Sequence, residues 1–67
     1  MTDHPDVALA AAVQRLQVAR AAERAAAAEV RELVLQRLAA GASERSLVAA
    51  TGIARDSIRK WRAAEGG

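Results

Sequence analysis

The sequence predicts an all-α chain: one long N-terminal helix, then two short helices folded against its C-terminal end as a trihelical unit. Three observations predict it. From Asp6 to Ala40 there is no Gly, Pro, Ser, Thr or Asn, and Ala, Leu, Arg, Gln and Glu dominate, so nothing interrupts a run of good helix formers. Gly41 and Gly52 then punctuate the chain at the spacing of one short helix. Beyond them, Leu47, Val48, Ile53, Ile58 and Trp61 recur at helical spacing on either side of a turn.

Pro5 suits the first turn of the long helix, and Asp6 complements its positive end. Thirty-five residues from Asp6 to Ala40 would make a rod of about 52 Å, which Gly41 stops. Ser43 is the expected N-cap of a helix from Glu44 to Thr51, ended by Gly52. The turn Gly52-Ile53-Ala54 leads into a third helix from Arg55 to Ala64, which is expected to dissolve at Glu65-Gly66-Gly67. The expected divisions are therefore a disordered tail at 1–4, a long helix at 5–29 that joins two chains, a trihelical unit at 30–64 and a second tail at 65–67. Within that unit, Leu47, Val48, Ile53, Ile58 and Trp61 should close over Val30, Leu33, Val34, Leu35 and Leu38.

Composition narrows the function. The chain has 67 residues, and nineteen of its apolar residues are alanine, leaving sixteen large enough to fill an interior. Domains this small often need a disulfide, a metal or a second copy. With no Cys there is no disulfide, and His4 alone cannot make a zinc site, so no metal and no cofactor are expected. Self-association is the support that remains. No run approaches the roughly 20 apolar residues of a membrane span, and the chain reads as soluble and cytoplasmic, with no membrane partner and no small-molecule ligand evident. An enzyme is not expected, since no nucleophile, base and orienting group occur together and there is no Gly-rich phosphate loop. Nine Arg against one Lys, with no Phe, Tyr, Asn or Cys, matches the codon usage of a high-GC bacterium or its phage.

Charge is unevenly placed. Residues 1–40 are neutral, and the whole net charge of +2 lies in residues 41–67, where Arg55, Arg59, Lys60 and Arg62 cluster. Alone, such a cluster is either a solvated face or an electrostatic footprint for nucleic acid.

The segment from Gly41 to Ala63, GASERSLVAATGIARDSIRKWRA, resembles the helix-turn-helix of bacterial and phage DNA-binding proteins. It is similar to stretches in small phage or plasmid regulators and in the DNA-binding ends of serine recombinases. The turn glycine Gly52, Ile53 after it, and Ile58 and Trp61 fall where that family places them. Val48 stands where the family usually has Ala, which implies slightly wider helix spacing. Ala54 stands where Ser or Thr often caps the third helix, which leaves that cap to backbone, water or a phosphate.

The resemblance implies that the third helix enters the major groove of double-stranded DNA with its N-terminal half. Arg55 and Arg59, one turn apart, are then the expected guanine readers. Asp56 either accepts from a cytosine amino group or orients Arg59 and Lys60 at i+3 and i+4, the second being the simpler role. Lys60 and Arg62 are expected on phosphate, together with Ser43, Arg45 and Ser46 at the start of the second helix. Trp61, the sole aromatic, lies in the Ile58 stripe and is expected in the core rather than stacked on a base.

Two short helices cover only the last third of the rod. Along the rest, Leu9, Val13, Leu16, Arg20, Glu23, Ala27, Val30 and Val34 are spaced 4, 3, 4, 3, 4, 3, 4, a heptad seam with a polar pair at its middle. An antiparallel copy centred between Ala21 and Ala22 sets Val13 against Val30, Leu16 against Ala27 and Arg20 against Glu23; a parallel pair stacks like charges. A homodimer through Leu9, Val13, Leu16, Arg20, Glu23, Ala27 and Val30 is expected, against a lone Ala-rich helix that frays. The expected function is sequence-specific DNA binding by a small, nucleoid-associated transcriptional regulator of bacterial, phage or plasmid origin. The alternatives are a DNA-architectural or recombination accessory protein of low specificity, and a helical adaptor whose basic face meets an acidic protein.

Overall fold

The computed structural model describes residues 6–66. His4, Pro5, the expected tail at 1–4 and Gly67 lie outside the described residues. Three α-helices follow one another: α1 (Val7–Ala39), α2 (Glu44–Thr51) and α3 (Arg55–Gly66). The described residues contain no strand.

The start of α1 is set by a carboxylate. Asp6 has extended backbone angles and its Oδ1 accepts from the Leu9 N–H at 3.0 Å, which satisfies one of the free amides of the first turn. Asp6 is therefore the N-cap rather than a first-turn residue. The 33 residues of α1 run without a break for about 50 Å.

Glycine ends α1 as expected. Gly41 has φ +106°, its N–H donates to the Leu38 carbonyl at 3.0 Å, and the Ala42 N–H donates to the Arg37 carbonyl at 2.9 Å. This pair of bonds is the Schellman closure, and it turns the chain back along α1.

Ser43 caps α2, its hydroxyl oxygen accepting from the Ser46 N–H at 3.0 Å. At the other end Gly52, with φ +73°, donates its N–H to the Val48 carbonyl at 2.8 Å. Thr51 braces the turn that follows. Its Oγ1 donates to the Leu47 carbonyl at 2.7 Å and accepts from the Ile53 N–H at 3.1 Å. Ala54 begins α3 with its carbonyl, which accepts from Ser57 at 3.0 Å and Ile58 at 3.2 Å. No side chain caps the Arg55 and Asp56 amides, in keeping with the missing Ser or Thr at 54.

The left-handed Gly52 yields a prediction. A Cβ there meets nothing within 4 Å, so substitution costs backbone energy alone. Gly52→Ala is expected to lower stability by about 1 to 2 kcal/mol. Gly52→Asn should cost less, because asparagine tolerates this conformation. Thermal melts of both variants check the order; equal losses would contradict a conformational origin.

The core is small and sits at one end of the molecule. Val34 and Leu38 of α1, Leu47 of α2 and Ile58 of α3 are buried, with Leu35, Ala42, Val48, Ile53 and Trp61 packed against them. Two residues expected in this core are not inside it. Val30 is 39% and Leu33 40% exposed, lining an open groove beside Leu47 and Thr51 of α2 rather than packing inside. Trp61 is half-buried, with the Arg31 guanidinium over its ring at 5.8 Å. The expected tail is also corrected: α3 continues through Glu65 and Gly66, and Glu65 borders an open groove with Leu35, Leu38 and Ala39 of α1.

Everything upstream of that core is bare rod. The molecule measures 63 × 25 × 17 Å, with a radius of gyration of 18.8 Å. A globule of this length would have about 11 Å. Val7, Leu9, Val13, Leu16 and Val18 are exposed along the rod. No helix among the described residues is long and apolar enough to cross a membrane.

Candidate nucleic-acid interface

The cationic cluster of the last helix is organised by a residue of the second. At 3.6 residues per turn, Glu44, Leu47, Val48 and Thr51 share one side of α2, so the side that carries Leu47 into the core also carries Glu44 toward α3. On α3 the same period sets Arg55, Arg59 and Arg62 in one stripe beside Ile58. The two sides meet.

The Arg59 Nε donates to Glu44 Oε1 at 3.1 Å, and the Arg62 Nη1 donates to Glu44 Oε2 at 3.3 Å. Arg55 Nε stands 4.0 Å from Oε1, an ion pair without a hydrogen bond. These three contacts are the ion pairs among the described residues, and all converge on Glu44. The carboxylate side chain is 19% exposed, whereas those of Arg55, Arg59 and Arg62 are 48%, 59% and 59% exposed.

This geometry leaves the guanidinium groups usable. Arg59 engages Glu44 through Nε alone, so both of its terminal nitrogens remain for a bidentate contact. Three cations around one anion leave the stripe positive.

Glu44 titrates accordingly. The Arg59 hydrogen bond is the main cause that lowers its pKa from the ordinary 4.5; partial desolvation opposes it, and the charges of Arg59 and Arg62 and the Arg62 hydrogen bond add to the lowering. A carboxyl whose native pKa is depressed contributes stability above its unfolded pKa and loses it as pH falls through the native value. The melting temperature of the wild type is therefore expected to exceed that of Glu44→Gln at neutral pH. The gap should close as pH falls below about 4.5. A gap that stays constant down to pH 2 would show that the ion pairs do not stabilise the fold.

The other expected site residues are placed less tightly. Asp56 and Lys60 lie on the outer face of α3, opposite Ile58, and both are exposed. Asp56 makes no ion pair with the described residues, so the expected orientation of Arg59 and Lys60 by Asp56 is replaced by orientation of Arg59 by Glu44. Arg45 is exposed at the start of α2. Ser43 accepts from Ser46 N–H and keeps its own proton free to donate. Ser46 does not, because its hydroxyl donates to the Ser43 carbonyl at 2.9 Å, and contact with a phosphate would break that bond.

Along α1, Leu9, Val13, Leu16, Arg20, Glu23, Ala27 and Val30 receive nothing that buries them from their own chain. Val34, the last position of the heptad seam, is 3% exposed inside the core and is lost to any partner.

Sequence reasoning missed Glu44, Thr51 and Arg31. The signal for the first two was present in their i, i+3, i+4 and i+7 relation to Leu47 and Val48. Arg31 lies one turn before Val34 and Leu35, at the spacing that brings it over Trp61. No protein-family profile, curated protein or solved structure matches this chain.

Proposed function

We propose that the chain binds double-stranded DNA sequence-specifically through α2 and α3, as a homodimer joined through α1. It acts in this reading as a small, nucleoid-associated transcriptional regulator of bacterial, phage or plasmid origin. The observation that carries the reading is the unit α2, left-handed Gly52 and α3, with a stripe of three arginines on α3 beside the start of α2.

In this reading α3 enters the major groove, and Arg55 and Arg59 pair with guanine O6 and N7. Glu44 supports that role by holding Arg59 through Nε with its terminal nitrogens free, which reduces the ordering that binding requires. Arg62, held by the same carboxylate, and Lys60 on the outer face would meet the phosphates on either side of the groove. Arg45, the Ser43 hydroxyl and the free amides of α2 would contact the backbone of one strand. Asp56, unpaired and exposed, is available to a cytosine amino group.

Selection of bound fragments from random duplex DNA tests the reading. A two-fold related pair of half-sites rich in guanine is expected, with affinity for the selected site about 10³-fold or more above that for random DNA. Uniform recovery of all sequences would favour an architectural role. No binding to any duplex at low salt would leave the basic face to an acidic protein partner.

A further inference from the structure

The bare part of α1 ends against its own helix-turn-helix, and that junction has a particular shape. The seam Leu9, Val13, Leu16, Arg20 and Ala27 continues at heptad spacing into Val34, which shares its face of α1 with Leu38, and on these two residues α2 and α3 pack. The seam and the C-terminal unit thus lie on one face of the rod. A second helix laid along the seam must stop, or turn aside, where α2 begins.

The place to turn aside is present. Val30 and Leu33, 39% and 40% exposed, line a groove with Val34 and Arg37 of α1 and with Leu47 and Thr51 of α2, and its exposed surface is apolar. A heptad seam on a straight helix drifts by about 20° per heptad. Over the three heptads from Leu9 to Val30 this drift rotates the seam toward the side of α1 that carries Leu33.

We infer that this groove receives the first turns of a second copy of the chain, lying antiparallel on α1. The inference rests on the homodimer reading and names its contacts. In the self-complementary register Leu9 of one chain arrives at the level of Val34 of the other. Val34 is already covered, so Leu9 seats on Leu33, Leu47 and Thr51, and Val13 on Val30. The two-fold axis repeats the contact at the other end. Arg20 and Glu23 make no ion pair within their own chain, and this register sets each against its opposite on the other copy. Exposed pairs of this kind contribute little affinity but penalise the parallel arrangement. Val7 and Val18, 74% and 64% exposed, lie on the opposite side of α1 and take no part.

The absence of cysteine makes the arrangement testable by cross-linking. Sedimentation equilibrium of the full chain is expected to show a dimer at tens of micromolar. Oxidation of the double variant Leu16→Cys with Ala27→Cys should link the two chains, whereas Leu16→Cys alone should not. Leu33→Glu and Leu9→Glu should each raise the dimer dissociation constant about tenfold or more, with Val18→Glu as the neutral control. Circular dichroism and Trp61 emission verify that each variant keeps its fold. A wild-type monomer would overturn the homodimer reading itself. Rapid linking of Leu16→Cys alone would overturn the antiparallel arrangement. A dimer indifferent to Leu33→Glu would overturn the groove while leaving self-association intact.

Discussion

Ile58→Ala is expected to release α2 and α3 from α1. Ile58 is fully buried and one of four buried residues among those described, all in one cluster to which each of the three helices contributes. Truncating such a side chain costs about 2 to 5 kcal/mol, from lost transfer energy and from the cavity left behind. A chain of this length has about 3 to 10 kcal/mol in all, so the variant stands near or below the threshold of folding. The described residues form no second core to hold the unit in place.

Urea titration followed by Trp61 emission reads this directly, since Trp61 is the only aromatic residue and packs on the same cluster. Val18→Ala, at an exposed site, should change the unfolding free energy by less than about 0.5 kcal/mol. An Ile58→Ala variant that melts like the wild type would refute the packing of α3 on α1.

The second large effect concerns recognition. In the DNA-binding reading, replacing Arg55 and Arg59 together with alanine removes two bidentate contacts, each worth about 1 to 3 kcal/mol. Affinity for the selected site should fall by a factor of about 30 to 10⁴. Affinity for random DNA should fall less, because only phosphate attraction is weakened there.

Glu44→Gln is the informative companion. It keeps all three arginines but removes the charge that holds Arg59 and Arg62. Binding to random DNA is expected to tighten, because one negative charge has left a basic surface. The ratio of selected-site to random affinity is expected to fall, because the guanidinium groups are no longer preset. Equal changes on both DNAs would show that Glu44 affects net charge only. A double-alanine variant with undiminished preference would remove Arg55 and Arg59 from the reading.

Much of the fold was legible because its signals are local. Asp6, Ser43, Gly41 and Gly52 act within a turn of helix, through one side-chain oxygen or one permitted positive φ. The bounds of α2 and the turn to Arg55 followed from them. Val34, Leu38, Leu47 and Ile58 were recognisable by apolar spacing. The candidate site was legible only as a cluster of charges. Which carboxylate orders it was not, since Asp56, three and four residues from Arg59 and Lys60, was the local choice. Glu44 is 15 and 18 residues from its partners.

The sequence by itself determined an all-helical chain, one long uninterrupted helix, the two glycine stops and the four residues buried in the core, Val34, Leu38, Leu47 and Ile58. Hydrogen bonds within a turn and a period of 3.6 residues are written in neighbouring positions. The tertiary structure alone decided what depends on how helices cross. It closed the core on Val34 and Leu38 and left Val30 and Leu33 in an open groove, and it carried α3 through Gly66. It also drew Arg55, Arg59 and Arg62 onto Glu44. Those pairings rest on the angle that Gly52 and Thr51 set between α2 and α3, and no spacing along the chain encodes an angle.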